Sequence, residues 1–133
     1  HRLKPNAAII IDVTHDTSTP HMNKKKDGDV KCGDGPGVTH APAVHQKLLR
    51  LVTDTAIEKL IPIQRQASSR ATGTDTVAFA YSSQGVPSVL ISIPLRYMHT
   101  TVEMSHKQDV ENVINLIVES LQKIENGHSF KYF

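Results

Sequence analysis

The stretch Ala7-Ala8-Ile9-Ile10-Ile11-Asp12 decides the fold of this 133-residue chain, because an unbroken apolar run leads directly into a carboxylate. β-branched side chains dominate the run, and strands buried on both faces are apolar throughout instead of alternating. We therefore predict a central strand that ends at Asp12. A second stretch, Ser88-Val89-Leu90-Ile91-Ser92-Ile93, has the same character and predicts a second buried strand.

Two amphipathic helices are predicted beside these strands. Apolar residues at helical spacing predict one helix over residues 42–59, with Pro42 as its first residue. The other follows a capping box of Ser105 and Gln108, and Gly127 is its predicted stop. Its apolar stripe consists of Val110, Val113, Ile114, Ile117, Leu121 and Ile124. Strands that alternate with helices favour an α/β layered fold, and the length suits one domain.

The remaining segments are predicted to be loops and short elements. Residues 13–42 shift in composition to Thr, His, Asp, Lys, Gly and Pro, which predicts a long loop beginning at a strand end. Residues 60–64 predict a short strand, and Pro62, which has no N–H to donate, favours an edge or a bulge there. Residues 65–72 predict another loop, and a short helix over residues 76–81 follows, with Thr74 or Asp75 as its N-cap.

Composition argues against several kinds of partner. The net charge is only +2, and Lys24-Lys25-Lys26 lies among polar residues without aromatic side chains for base stacking, so we expect no nucleic-acid partner. The apolar stretches are too short to span a bilayer, so we expect no membrane partner. The single cysteine, Cys32, suits a reducing compartment and predicts a cytoplasmic protein.

Two catalytic arrangements are not expected. The segment Gly33-Asp34-Gly35-Pro36-Gly37 lacks the Lys-Ser/Thr of a phosphate-binding loop, and Pro36 removes an amide donor, so a nucleotide site is not predicted. Cys32 has Lys31 beside it, which lowers a thiol pKa, but no His or Asn partner is identifiable. A cysteine nucleophile is therefore not expected.

Two polar residues stand where a metal site can form. Asp12 follows the first buried strand and His99 follows the second. When two such strands are parallel neighbours, their carboxyl ends meet in one crevice, where α/β proteins bind ligands. A carboxylate and an imidazole together suit a divalent metal, most often Zn²⁺. Other roles stay open at this point, since a lone Asp after a strand caps turns and a lone His in a loop is commonly only polar.

A set of motifs in a fixed order resembles one peptidase family. They are Ala8-Ile9-Ile10-Ile11-Asp12-Val13-Thr14-His15-Asp16, Gly33-Asp34-Gly35-Pro36, Ile61-Pro62-Ile63-Gln64, Gly73-Thr74-Asp75 and Ser92-Ile93-Pro94-Leu95-Arg96-Tyr97-Met98-His99. Together they resemble the C-terminal part of the TET-type metalloaminopeptidases, family forty-two of the metallopeptidases, which includes glutamyl and deblocking aminopeptidases. The resemblance runs from about Pro5 to Ile124.

The resemblance implies a fold and a chemistry. The fold would be a three-layer α/β/α sandwich with a mixed, mainly parallel sheet. Two divalent metal ions, zinc or cobalt, would activate water against a peptide substrate. Asp12 would be the terminal carboxylate ligand of one metal and His99 the imidazole ligand of the other, with Asp75 positioning the substrate. The complete enzyme would be a homo-oligomer.

The resemblance also implies that residues 1–133 are a partial domain. Family members place the general-base glutamate, the other metal ligands and an inserted oligomerisation domain upstream of the segment that matches Asp12. We therefore expect this chain alone to be inactive. Two alternatives stay open: a non-catalytic peptide- or protein-binding module that retains the fold, and an endoglucanase in which Asp12 and Glu103 would flank a sugar.

Overall fold

A mixed sheet organises the chain. The computed structural model describes residues 4–82, 84–125 and 127–130. Its elements, in chain order, are β1 (Ala8–His15), α1 (Lys24–Asp27), β2 (Gly37–His40), α2 (Gln46–Glu58), β3 (Gln64–Ala67), α3 (Thr76–Ala80), β4 (Ser88–Arg96), β5 (Met104–Ser105) and α4 (Lys107–Gln122). The strand order is β1-β4-β2-β3, and β5 also pairs with β4.

The sheet is mixed, and its two longest ladders are parallel. β1 runs parallel to β4 from the pair Ala8 and Ser88 to the pair His15 and Leu95. β2 runs parallel to β3, whereas β4 pairs antiparallel with both β2 and β5. The helices α2 and α4 pack on each other and on β4. This arrangement confirms the predicted α/β fold with a mainly parallel sheet.

The core lies where β4 meets the two long helices. β4 is buried from Ser88 to Ser92, which confirms the second predicted strand, although the strand continues to Arg96. Its neighbours in the core include Leu48 and Val52 of α2 and Leu116 of α4, all fully buried. Each such side chain contributes about 1.5–3 kcal/mol of burial free energy, so this interface dominates the stability.

The prediction for β1 was wrong in two respects. The strand does not end at Asp12 but continues to His15, and among the described residues β1 is an edge strand with one neighbour. Ile11 is accordingly 53% exposed. The ladder with β4 supplies backbone partners beyond the apolar run, so pairing extends the strand past the point where the composition changes.

The predicted long loop over residues 13–42 contains regular structure. Besides the end of β1 it holds the short helix α1 and the strand β2, which lies between β4 and β3. β2 has the sequence GVTH, which is too short and mixed to show a strand pattern. Its position in the sheet, with Val38 fully buried, fixes its conformation.

Both helix starts were predicted too early. α2 begins at Gln46 instead of Pro42, because His45 is the N-cap and its Nδ1 accepts a hydrogen bond from the Leu48 backbone N–H. α4 begins at Lys107 with His106 as its N-cap, so Ser105 is not the capping residue. α2 ends at Glu58, as predicted, whereas α4 ends at Gln122, before the predicted stop at Gly127.

The predicted stripe of α4 is only partly buried. Val113 is buried, but Ile114 is 56% and Leu121 is 52% exposed. The face that meets the core instead carries Asp109, Asn112, Val113, Leu116 and Ser120. Apolar periodicity could not identify this face, because three of its five residues are polar.

Two short elements lie between α2 and β4: a strand that begins later than predicted and a helix at the predicted place. β3 covers Gln64–Ala67 and not residues 60–64, so it occupies part of the predicted loop over residues 65–72. Pairing with β2 sets this register, since Gly37 lies opposite Gln64. The predicted short helix is present as α3 at Thr76–Ala80, one residue shorter than predicted, and Asp75 is the N-cap of the two candidates.

Candidate functional site

Asp12 lies inside β1, on the face of the sheet that it shares with Ile10 and Thr14. Its direct partner across the parallel ladder is Ser92 of β4. The side chain is half-buried, and Oδ1 accepts a hydrogen bond of 2.8 Å from the Val13 backbone N–H. The second carboxylate oxygen has no hydrogen bond within the described part of the chain, so it is available to a ligand.

His99 lies in the loop between β4 and β5 and is exposed. Its backbone has a φ of +65°, which is unusual for a residue with a side chain. The loop holds this conformation through Glu103, whose Oε1 accepts a hydrogen bond of 2.5 Å from the His99 backbone N–H. Thr100 Oγ1 adds a 2.6 Å bond to the Tyr97 carbonyl oxygen. These bonds set the direction of the backbone at His99.

The two strands are parallel neighbours, which is the condition for a crevice at their carboxyl ends. The chain leaves β1 after His15 and leaves β4 after Arg96, and the register places His15 beside Leu95 at that edge. His99 therefore belongs to the carboxyl edge, while Asp12 lies further back in its strand. Among residues 4–82, 84–125 and 127–130 there is no group of three or more His, Cys, Asp or Glu side chains placed to hold a metal.

Asp75 is the exposed N-cap residue of α3. Its side chain makes no capping hydrogen bond. The Thr74 hydroxyl instead accepts a weak bond of 3.4 Å from the Thr76 backbone N–H. Among the described residues the Asp75 carboxylate has no hydrogen-bond or ion-pair partner, so it can meet a ligand at the surface.

A small cavity lies between the segments of Asp12 and Asp75, and we call it the threonine pocket. Val13 and Thr74, the sequence neighbours of these two aspartates, both line it. Its other walls come from β2, β3, β4 and the segment after β3. Most of the lining is polar: the hydroxyl side chains are Thr14, Thr39, Ser68, Thr72, Thr74 and Ser92, and Gln66 adds an amide.

Two buried carboxylates that the sequence analysis did not single out hold the glycine-rich loop. Asp109 of α4 is fully buried, and its two oxygens accept hydrogen bonds from the backbone N–H groups of Gly33 at 2.7 Å and Gly35 at 2.9 Å. Asp16 accepts a bond of 3.0 Å from the Cys32 backbone N–H. No sequence pattern assigns this role to either residue, because the loop residues that they bind lie far away along the chain.

The low pKa of Asp16 reflects the hydrogen bonds that its carboxylate accepts. Burial raises this pKa, but hydrogen bonds from the Ser18 side chain, the Cys32 backbone and the Ser18 backbone outweigh burial and lower it to about 2. The Ser18 bonds measure 2.5 Å from the hydroxyl and 2.6 Å from the backbone N–H. Asp16 is therefore an ionised structural anchor near neutral pH.

Cys32 lies in the same loop and has a raised pKa. Burial, with the nearby Asp16 carboxylate, raises the pKa of this thiol to about 11. Its Sγ donates to the Pro94 carbonyl oxygen at 3.3 Å. A thiol in this state is a poor nucleophile, which agrees with the sequence analysis.

The family of the chain follows from its sequence as a whole. Residues 1–116 match the family model of the M42 glutamyl aminopeptidases. The chain belongs to the M42 glutamyl aminopeptidase family. This membership confirms the predicted resemblance to the TET-type metalloaminopeptidases. The family is one of peptidases, so the enzyme class to which the chain is related is hydrolase.

The match with individual M42 relatives covers most of this chain but only part of each relative. The lysyl aminopeptidase of Pyrococcus furiosus is 32% identical over 123 residues, which are 92% of this chain and 35% of the relative. The TET aminopeptidase structure from a marine sediment archaeon of the Thaumarchaeota is 29% identical with a TM-score of 0.84, over 94% of this chain and 35% of that chain. The chain thus spans about a third of the length of these relatives.

A third relative bears on assembly. The TET1 peptidase of Pyrococcus horikoshii, which can assemble into a tetrahedron or a large octahedral shell, is 27% identical with a TM-score of 0.62. The match covers 87% of this chain and 33% of that one. As for the membrane, the described helices include none with the length and apolarity of a bilayer span.

Proposed function

We propose that residues 1–133 are the C-terminal segment of the catalytic domain of a cytoplasmic, metal-dependent aminopeptidase. The complete enzyme would remove N-terminal residues from peptides. The observation that carries the proposal is the parallel pairing of β1, the strand that contains Asp12, with β4, the strand that leads into the loop of His99 at the carboxyl edge of the sheet. Membership of the M42 family and the free oxygen of Asp12 support it.

Asp12 and His99 are suitable ligand types for a divalent metal, but two side chains are too few to hold it. Asp12 offers an oxygen and His99 an exposed imidazole, and both suit zinc or cobalt. The described residues contain no group of three ligands, so these side chains would be two members of a larger set that holds two metal ions. When bound, such ions polarise the scissile carbonyl and lower the pKa of water.

Asp75 is proposed to position the substrate. Its carboxylate is exposed and makes no capping bond, and its neighbour Thr74 lines the threonine pocket beside β1. The free α-ammonium group of a peptide is a suitable partner for an unpaired carboxylate at this place. The peptide would then lie between the segments of Asp12 and Asp75.

The chain by itself is expected to be inactive, and the complete protein is expected to be a homo-oligomer. The general-base glutamate that the family resemblance implies lies outside the matched segment, so this chain would supply no proton acceptor for the attacking water. Assembly of the Pyrococcus horikoshii relative supports the oligomer. EDTA-sensitive release of N-terminal residues by the isolated chain would contradict the expected inactivity.

The metal assignment is tested by Co²⁺ titration of the chain, followed through paramagnetic broadening in ¹H–¹⁵N spectra. We expect weak binding with broadening centred on Asp12 and His99, and loss of it in Asp12→Asn and in His99→Gln. His21→Gln is the matched control, because His21 is also exposed and also has a positive φ of 72°. Broadening centred on other histidines, unchanged by Asp12→Asn, would reject the assignment. Peptide binding without any metal binding would favour the non-catalytic module.

A further inference from the structure

The threonine pocket is small. Its volume is about 120 Å³. A cavity needs at least about 10–15 Å³ by this measure to hold one water, so the pocket has room for several waters. A hydroxymethyl or carboxamide group fits this space.

The lining of the pocket is polar but uncharged. Hydroxyl groups and the Gln66 amide provide its polar surface, and none of the residues that line it within the described chain is ionisable at neutral pH. Ser92 and Thr39 belong to the floor and are 2% and 7% exposed. A charged group would lose its hydration here without gaining an opposite charge, while a neutral hydrogen-bonding group would find partners.

The side chain of Gln66 crosses the floor of the pocket, and its amide forms only part of the hydrogen bonds that it could make. Its Nε2 donates a 2.9 Å hydrogen bond to Thr14 Oγ1 on β1, although β4 and β2 lie between the two strands. The side chain can pass because Gly37 has no Cβ; a Cβ there would lie 2.1 Å from Gln66 Oε1. Within the part of the chain that the structure describes, Oε1 is buried without a hydrogen-bond partner. The amide thus retains unused hydrogen-bonding capacity at the pocket.

A chain of threonine hydroxyls orients the opposite wall. Thr72 Oγ1 and Thr74 Oγ1 are 2.8 Å apart, and Thr74 Oγ1 donates to Thr76 Oγ1 at 2.9 Å. Thr76 is fully buried, so this chain is anchored in the protein. The wall presents hydroxyls with fixed directions without placing any charge in the pocket.

From these features we propose that the threonine pocket receives the side chain of the substrate's N-terminal residue and selects small, uncharged, hydrogen-bonding groups of the hydroxyl or carboxamide class. This inference rests on the proposed function, because it assumes that the peptide backbone lies between the segments of Asp12 and Asp75. Gln66 is then a specificity-determining residue that contacts the substrate side chain.

The experiment uses the metal-free chain and amino-acid amides, which carry the free amine and side chain of an N-terminal residue. Binding is followed by ¹H–¹⁵N shifts of Thr14, Thr72, Thr74 and the Gln66 side-chain amide. We expect serinamide and asparaginamide to shift these signals with an affinity about fivefold or more above that of leucinamide, glutamic acid α-amide and lysinamide. Equal or stronger binding of leucinamide, or shifts located elsewhere, would overturn the proposal.

Two substitutions at Gln66 sharpen the test. Gln66→Leu should weaken asparaginamide binding about tenfold, since one well-made hydrogen bond is worth roughly that factor. Gln122→Leu is the matched control, because Gln122 is exposed at the end of α4, outside the pocket, and should leave binding unchanged. Gln66→Glu keeps the shape and adds a negative charge, so it should reverse the preference in favour of lysinamide. This reversal keeps the test decisive if Gln66→Leu fails to fold.

The outcomes separate the pocket from the proposed function. Amide binding at the pocket with no Co²⁺ binding at Asp12 and His99 would support the pocket and reject the metal-dependent function. Co²⁺ binding at these residues with no amide binding would reject the pocket alone. Unchanged amide preference in both Gln66 variants would also reject it.

Discussion

At the scale of single residues, carboxylates do two different kinds of work in this chain. Asp12 and Asp75 have carboxylate oxygens without hydrogen bonds at the candidate site, among the described residues. The carboxylates of Asp16 and Asp109 instead accept hydrogen bonds from backbone N–H groups of one loop. The second pair is buried and the first is not. Buried carboxylates are stable only when paired or hydrogen-bonded, so their role here is structural.

Removing the charge of Asp109 should destabilise the fold. In Asp109→Asn one carboxylate oxygen becomes an NH₂ group that faces the N–H of Gly33 or Gly35, so one charge-assisted bond is replaced by two opposed donors. We expect a loss of about 3 kcal/mol in the free energy of unfolding, measured by urea denaturation. Asp54→Asn is the control, because Asp54 is an exposed residue of α2, and it should change stability by less than about 0.5 kcal/mol. A cost for Asp109→Asn as small as that of the control would contradict this role.

Asp16 should make stability depend on pH in the acid range. Its folded-state pKa of about 2 lies below its ordinary value of 3.8, so its contribution is present above about pH 4 and is lost as the pH falls through about 2. The shift corresponds to about 2 kcal/mol. In urea titrations from pH 7 to pH 2, the stability difference between the parent chain and Asp16→Asn should shrink by that amount. A difference that stays constant over this range would refute the anchor role.

At the scale of elements, close approach of backbones decides where short strands begin. Gly35 precedes β2 with a φ of +98°, and a Cβ at this position would lie 2.2 Å from the Pro62 carbonyl oxygen. The segment before β3 therefore packs directly on the turn that leads into β2. The pairing of Gly37 with Gln64 begins from this contact, which explains why β3 starts later than its apolar residues suggest.

Two glycine substitutions separate backbone strain from steric overlap. Gly35→Ala should destabilise the chain by more than about 3 kcal/mol, because it adds a clash with backbone atoms to an unfavourable φ. Gly73→Ala also has a positive φ, of 71°, but its Cβ would meet nothing within 4 Å, so we expect a loss of only about 1 kcal/mol. Thermal or urea unfolding measures both. Equal losses would show that Gly35 makes no such close contact in solution.

At the scale of the whole molecule, this chain leaves apolar surface uncovered. Ile114, Val118 and Leu121 lie on one side of α4 and are 46–56% exposed. Among the described residues β1 is also an open sheet edge, and Ile11 on it is 53% exposed. Open edges and exposed apolar faces favour association between molecules.

The chain is accordingly expected to self-associate as its concentration rises. Ile114→Gln combined with Leu121→Gln should reduce this association, because it replaces two exposed apolar side chains without emptying the core. Sedimentation velocity over a range of concentrations measures the effect. Asn115→Gln is the control, since Asn115 is exposed on the same helix and already polar. Identical sedimentation of the double variant and the parent would exclude this surface as the cause.

The sequence by itself determined the fold class, the family and the long regular elements. The apolar runs of β1 and β4 and the periodic residues of α2 and α4 identify these elements because their burial leaves a local pattern. The order of the motifs identified the M42 family, because each motif keeps its residues at a short spacing. The candidate residues Asp12, His99 and Asp75 were found in the same way, and their roles remain predictions.

Only the tertiary structure decided the short strands, the buried polar face of α4 and the threonine pocket. β2 forms because β4 offers it a neighbour, and β3 forms because β2 does; neither pairing is visible in segments of four residues. Asp16, Asp109 and Gln66 act on partners more than a dozen residues away along the chain, such as Gly33 for Asp109 and Thr14 for Gln66. Local patterns carry no information about such contacts, because folding alone brings these atoms within hydrogen-bonding distance.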